Sequence, residues 1–331
     1  MNMKIQLDVA DQLAVWKATS GVKQEYGDED FQQFLYRCWR TGGALPEYLS
    51  KSLFDFRRGR SGVLLIKGLQ LPQPVPPTPS RRGATWGQAT LQARKMMCIM
   101  LSQLGHIYNF SAKKDFDYID DVFPIYSDRN AQLGTNRSFL EWHVEDGFHP
   151  AKADLVALYC LRGDAKAQTF ICEARDLELA PHFRDELTKP NFLIRIDPTF
   201  KIGGNAVPEY RCAVLTPGDD PEVVYDPAYM VGVTSEAQAA LKHVREHVDR
   251  AHKAITLEQG DLLVFDNRRV MHARSAYDPA YDGTDRWLLR ALLLESYWKA
   301  RECLQDLSLD SSKTTSPPES PSSQYLETER Y

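Results

Sequence analysis

From about residue 118 onward the chain breaks into short apolar runs divided by glycine, proline and aspartate, and that rhythm most constrains the fold. The runs cover 139–143, 154–161, 168–173, 192–196, 211–215, 222–226, 261–266 and 287–295. Many short strands with turn signals between them predict an all-β sandwich or barrel with added helices. One helix interrupts the pattern at 235–253, where Ala237, Leu241, Val244 and Val248 form an apolar stripe.

The first hundred residues read differently. Asp28, Glu29 and Asp30 precede Phe31, Phe34, Leu35 and Cys38, an apolar set at helical spacing behind acidic N-terminal residues. Val63 to Ile66, closed by Gly68, reads as a buried strand. Five prolines between Pro72 and Pro79 permit neither a helix nor a central strand, so that stretch is an extended surface connection. Apolar patterns resume at once on both sides, which favours a loop within one domain. Residues 85–105 read as a helix with Met96, Met97, Ile99, Met100 and Leu104 toward the core. The expected organisation is a single domain over 1–305, helical to about 105 and strand-rich beyond it. Residues 306–331, with Ser-Pro-Pro-Glu-Ser-Pro-Ser-Ser and almost nothing apolar, are expected to be a disordered tail.

Composition removes several function classes. A net charge of −5 over 331 residues, spread along the chain, lacks the basic face of a nucleic-acid binder. No apolar run approaches the roughly 20 residues that span a bilayer. Six cysteines, at 38, 98, 160, 172, 212 and 303, contain no CxxC pair, and Met1-Asn2-Met3-Lys4 is no secretory signal. They read as reduced thiols in a cytoplasmic protein, Cys160 and Cys172 as buried strand residues. Oligomeric state is open.

The informative stretch is Phe139 to Pro150. On a strand, residues two apart project from one face, so His143 and Glu145 present an imidazole and a carboxylate side by side. That is two thirds of the facial triad of a non-haem iron site, although alone it also describes an ordinary polar strand end. His272, 129 residues later, follows the turn and buried strand 260–266 and is either the third ligand or a satisfied structural histidine. Arg286 and Arg290 lie four apart on the last apolar run and so face one side. A buried guanidinium needs an anionic partner, and two of them suggest two carboxylate-bearing ligands.

Taken together, H-V-E-D-G-F-H-P at 143–150, L-V-A-L-Y-C-L-R at 155–162, Gln168-Thr169, Tyr225-Asp226-Pro227, D-N-R-R-V-M-H-A-R at 266–274 and R-W-L-L-R at 286–290 resemble the clavaminate synthase-like branch of the Fe(II)/2-oxoglutarate-dependent dioxygenases. This branch holds the free amino-acid hydroxylases, and the match runs from about 60 to 297. The resemblance implies a mainly β fold with helices, a double-stranded β-helix (a distorted jelly roll) with the N-terminal helical region packed outside. It implies that His143, Glu145 and His272 bind Fe(II). Arg286, assisted by Thr169, would hold the distal carboxylate of the co-substrate 2-oxoglutarate, and Arg290 the substrate carboxylate. Oxygen would be consumed with release of succinate and carbon dioxide. Bacterial specialised metabolism is the usual setting.

Asp226 matches the acidic residue that meets the basic side-chain end in arginine-hydroxylating relatives, but their second acid is Ala228 here. A single carboxylate suits a compact ammonium, so a free basic L-amino acid is expected, lysine ahead of arginine, with citrulline, a carrier-tethered amino acid, desaturation or ring closure as alternatives. Asp226 is equally read as a turn-initiating residue before Pro227. The polar segment 119–137 is expected to cover the substrate, with Gln132, Asn136 and Ser138 as candidate contacts. Trp142 and His149 are read as packing, Asp146 as a carboxylate beside the ligands or a solvated one. Two rival classes remain: a non-catalytic ligand-binding relative, and a zinc protease using His243, Glu246 and His247 in H-x-x-E-H.

Overall fold

Leu155–Arg162 sits at the centre of the molecule because both of its faces are apolar. Val156, Leu158 and Cys160 enter one hydrophobic core while Leu155, Ala157, Tyr159 and Leu161 enter a second, on the opposite face. An uninterrupted apolar run is what a strand buried on both sides requires. Leu262–Asp266 and Trp287–Leu294 flank it, both antiparallel, and alternate between the same two cores.

The computed structural model describes residues 3–27, 30–69, 71, 73–83, 87–110, 117–197, 200, 209–300, 304–305 and 308–309. The large sheet has nine strands, in the order Met3–Gln6, Val63–Lys67, Leu262–Asp266, Leu155–Arg162, Trp287–Leu294, His106–Phe110, Ser308–Leu309 and Leu304–Gln305, with Ile119–Val122 also paired to Trp287–Leu294. Facing it is a four-stranded sheet, ordered Lys253–Ile255, Thr169–Glu173, Val270–Arg274 and Leu140–His143. The inner core lies between these sheets, and Ser235–Ala251 buries Ala237, Leu241, Val244 and Val248 against it. This is the jelly roll. A separate three-stranded sheet joins Met230–Gly232, Phe192–Arg195 and Glu209–Cys212.

The outer core is closed by helices. Val9–Gly21 begins with a capping box between Asp8 and Asp11, and Phe31–Thr41 with the Asp30 carboxylate accepting from the N–H groups of Gln32 and Gln33. Gln88–Leu101 is buried on every side from Ala93 onward, including Arg94 and Lys95. Each buried cation has a partner: Arg94 Nη2 lies 2.6 Å from Asp121 Oδ2, and Lys95 Nζ 2.8 Å from Glu25 Oε1. Asp121 also accepts from the Trp287 indole at 2.8 Å, so one carboxylate ties the helical layer to the central sheet.

Several boundaries differ from expectation. The helix expected to 105 ends at Leu101, although Leu104 remains buried. The helix expected to 253 ends at Ala251, because Lys253–Ile255 joins the smaller sheet. The run 222–226 is not a strand: Val223 forms one bridge to Leu215, and its N–H goes to the Arg268 carbonyl at 2.6 Å rather than to a ladder. The prolines at 221 and 227 bound this segment and remove donors at its ends. Of the proline-rich connection, Pro72 lies outside the described residues. Arg162 holds the rest, donating to Thr78 Oγ1 at 2.7 Å and to the carbonyls of Val75 and Pro76 at 3.3 and 3.0 Å. Asp28, Glu29, Cys303 and nearly all of 306–331 also lie outside the described residues, and Ser308–Leu309 pairs parallel to Asn109 and Phe110.

Replacing Arg94 by Ala would leave Asp121 half-buried without its cation. A loss of about 3 kcal/mol is expected from denaturant titration, with Arg94→Lys losing less.

Candidate active site

Pairing register builds the site. Val270–Arg274 runs antiparallel to Leu140–His143 with His272 directly opposite His143, and opposed residues share a face. The two rings stand 4.1 Å apart between centroids. Glu145 follows in the next turn, and one ligand atom from each of His143, Glu145 and His272 lies within 4.8 Å of the others. One ion bonded at about 2 Å to each would close that spacing with small side-chain movements. Among the described residues no other group of three such side chains meets this condition.

The local backbone explains how Glu145 reaches this place. The chain turns at Asp146, whose φ of 52° is left-handed, a region that aspartate tolerates better than most residues. Asn267, fully buried, clamps Glu145 from both sides: its Oδ1 accepts the Glu145 N–H at 2.7 Å, and its Nδ2 donates to the Glu145 carbonyl at 3.0 Å. Asn267 stands within the 266–274 motif without a role of its own there. Its signal was a polar amide directly after a buried strand.

Protonation favours metal binding. His143 Nδ1 lies 2.7 Å from the Glu141 carbonyl, which makes it the donor and leaves the other ring nitrogen its lone pair. Burial first, and the neighbouring His143 second, hold the His272 pKa well below its usual value, so the ring is neutral. His272 Nε2 lies 3.8 Å from Glu145 Oε2. A neutral imidazole nitrogen turned toward a buried carboxylate, with a second imidazole beside it, fits the donor set of a metal ion.

The two arginines have different fates. Arg286 is 5% exposed, donates to Thr169 Oγ1 at 3.0 Å, and has no carboxylate partner among the described residues. Desolvation lowers its pKa, the mark of a cation without an anion. Arg290 pairs with Glu145 Oε1 at 2.7 Å and with Asp120 Oδ2 at 2.7 Å, so the protein itself supplies two carboxylates.

His143, Glu145, His272, Thr169, Arg286, Arg290 and Asp120 line one cavity of 1520 Å³, together with Asp226, Asp197, Ala228, Tyr229 and Gln132. Asp226 is a turn residue and a cavity residue at once. Its Oδ1 accepts the Ala228 N–H at 3.1 Å, and burial is the first cause that pushes its carboxyl up to about 6. The Val144 N–H donates to the Tyr225 carbonyl at 3.0 Å, joining this turn to the metal-ligand turn. Gln132 reaches the cavity, but its amide is engaged with the backbone of Phe139 and Glu141, at 3.3 Å each. Asn136 and Ser138 do not line the cavity. Asn136 is fully buried between Ala131 and Arg274, and the Ser138 carbonyl accepts from Arg274 at 2.7 Å. Trp142 is buried and donates to Asp249 at 2.8 Å, while His149 packs edge-on to Phe110.

The H-x-x-E-H helix lies elsewhere. His243 packs on Phe183 and accepts the Ala180 N–H at 3.3 Å, and His247 bonds back to the His243 carbonyl. No third ligand approaches them among the described residues. Five cysteines, at 38, 98, 160, 172 and 212, are free thiols, and no described helix is long and apolar enough to cross a membrane.

Comparison with known proteins agrees with this geometry. Residues 177–292 match the family model "Taurine catabolism dioxygenase TauD, TfdA family". The chain is 30% identical to the L-asparagine oxygenase of Streptomyces coelicolor over 86% of each chain. It is also 30% identical to the L-lysine 3-hydroxylase of Catenulispora acidiphila, over 81% of this chain and 77% of that one. Among solved structures, the non-heme iron oxygenase OrfP in complex with Fe, succinate and (3S)-hydroxy-L-Arg superposes with a TM-score of 0.83 at 26% identity, covering 93% of this chain and 99% of that one.

Two substitutions separate the candidate centres. Asn267→Ala should weaken Co(II) binding, followed by its visible absorption, by about 10- to 100-fold. His243→Ala should leave both metal binding and turnover unchanged.

Proposed function

The chain belongs to the TauD/TfdA family, in the branch of iron- and 2-oxoglutarate-dependent amino-acid oxygenases, and from that premise we propose that it hydroxylates a β or γ side-chain carbon of a free basic L-amino acid. Lysine is preferred to arginine. The products are the hydroxy-amino acid, succinate and carbon dioxide.

Iron with 2-oxoglutarate supplies the oxidising power, and the protein supplies binding and aim. In this reading His143, Glu145 and His272 hold the iron. Arg286, a buried guanidinium with no carboxylate partner among the described residues, takes the distal carboxylate of 2-oxoglutarate beside the Thr169 hydroxyl. Arg290 keeps Glu145 oriented and offers its remaining N–H groups to the α-carboxylate of the amino acid.

The observation that carries the substrate class is Asp226. Its carboxylate is held by the backbone N–H groups of Ala228 and Tyr229 inside the cavity that His143 lines. A lone carboxylate that already spends part of its hydrogen-bonding capacity on its own turn suits a compact ammonium, whereas a guanidinium is best met by two free oxygens. Asp197 lines the same cavity and adds a second negative charge. A cationic side chain is therefore favoured over asparagine or citrulline.

The test loads the protein with Fe(II) and 2-oxoglutarate without oxygen, then admits oxygen against a panel of L-amino acids while succinate and product mass are followed. Lysine should gain one oxygen atom, and Asp226→Asn should lower kcat/KM for lysine by at least about tenfold, the worth of one charge-assisted contact. Unchanged turnover of lysine and arginine in that variant would sink the pocket assignment. Succinate without a modified amino acid would move the substrate to a carrier-tethered one.

A pH profile gives an independent check. Protonating Asp226 removes its charge, so kcat/KM for lysine should fall as pH drops through about 6. In Asp226→Asn that fall should disappear.

A further inference from the structure

Arg274 is a second buried cation in the cavity, and the reading above leaves it unused. It is 4% exposed, lines the cavity, and has no carboxylate partner among the described residues. Its guanidinium meets Tyr277, whose ring lies 4.7 Å away, and its terminal nitrogens hold one loop. Nη1 donates to the Asn136 carbonyl at 2.8 Å, and Nη2 to the Ser138 carbonyl at 2.7 Å and to the Asn136 side chain. That loop, 129–138, contributes Ala131 to Thr135 to the cavity wall. The Nε–H of Arg274 is buried with no acceptor.

The position of Arg274 in the sheet matters. It stands two residues beyond His272 on the same face of the strand, and across the ladder its partner is Thr169. The Thr169 hydroxyl accepts from Arg286. Arg286 raises the cost of the Arg274 charge, and the Tyr277 ring, 4.7 Å from the Arg274 guanidinium, offsets that only in part. An anion beside Thr169 is attracted by both cations, and its arrival relieves their repulsion.

We propose that Arg274 is a positioning residue that links 2-oxoglutarate to the loop over the amino-acid site. A carboxylate taken up at Arg286 and Thr169 also balances Arg274, steadies the guanidinium that anchors Asn136 and Ser138, and so orders 129–138 over the substrate. This rests on the reading that Arg286 receives the distal carboxylate of 2-oxoglutarate. By linkage, 2-oxoglutarate then raises affinity for the amino acid, and the amino acid raises affinity for 2-oxoglutarate by the same factor.

The experiment uses the full chain loaded with Ni(II), which binds the same ligands without turnover. Calorimetry measures lysine binding with and without 2-oxoglutarate, and trypsin cleavage after the exposed Arg137 reports on the loop without any assumption about the amino acid. In the unaltered protein, 2-oxoglutarate should tighten lysine binding about fivefold or more and slow the cleavage. In Arg274→Met, which keeps volume and loses charge and donors, both effects should vanish while 2-oxoglutarate still binds. Asn136→Ala, which leaves Arg274 in place and removes one acceptor, should weaken both effects and serves if Arg274→Met does not fold.

Coupling that persists in the folded variants overturns the link, as does cleavage insensitive to 2-oxoglutarate in the unaltered protein. Arg286→Met tells the two readings apart. If it abolishes 2-oxoglutarate binding while Arg274→Met keeps the coupling, the link alone is wrong. If it binds 2-oxoglutarate normally, the co-substrate site itself lies elsewhere, and the link falls with it.

Discussion

Burial of the central strands on both faces is the constraint on which the rest of the molecule depends. Leu155–Arg162, Leu262–Asp266 and Trp287–Leu294 carry apolar side chains up and down, so each face must be covered by something else. The smaller sheet covers one face and the N-terminal helices cover the other. The site then sits on the inner face, where Arg290 interrupts the apolar row formed by Leu288, Leu292 and Leu294. An arginine there is tolerable because Glu145 and Asp120 meet it, and through Glu145 its charge is joined to the metal-ligand set.

The two arginines four residues apart show how one strand serves two purposes. Arg290 is neutralised by the protein, whereas Arg286 meets a hydroxyl and no carboxylate among the described residues. A buried guanidinium in the second condition is costly in the free protein, and that cost is recovered when an anionic ligand arrives. Arg274 extends the same unbalanced charge toward a loop. The cavity wall therefore holds two unlike regions, the cations Arg286 and Arg274 on the strands that carry and adjoin Thr169, and the carboxylates of Asp226 and Asp197. In the proposed reaction the first region takes the dianionic co-substrate and the second the cationic side chain of the amino acid.

Rigid strands and irregular turns divide the labour. His143 and His272 are placed by sheet register, which a one-residue slip would reverse. Glu145 and Asp226 lie in turns, and turns need outside support to hold a fixed geometry. Asn267 provides it for Glu145, and a backbone hydrogen bond between Val144 and Tyr225 ties the two turns to each other.

What the sequence by itself determined are the features that depend on near neighbours. Strand runs such as 154–161 and 261–266 were legible because alternation or continuity of apolar residues reports burial locally, and the stripe of Ser235–Ala251 because helical spacing does the same. The residues of the candidate metal set were legible because their chemistry is unusual in apolar surroundings and their motifs are short. Short strands such as Lys253–Ile255, and Val270–Arg274 with its mixed polarity, were not, since they owe their form to the strands beside them. Nor could the sequence say that Arg290 meets Glu145 and Asp120, or that Asn136 turns inward to Arg274 rather than to the cavity. Those partners lie 145, 170 and 138 residues apart: Asp120 meets Arg290 by strand pairing within the large sheet, Glu145 by the closing of the smaller sheet over it, and Asn136 meets Arg274 from the loop that leads into Leu140–His143.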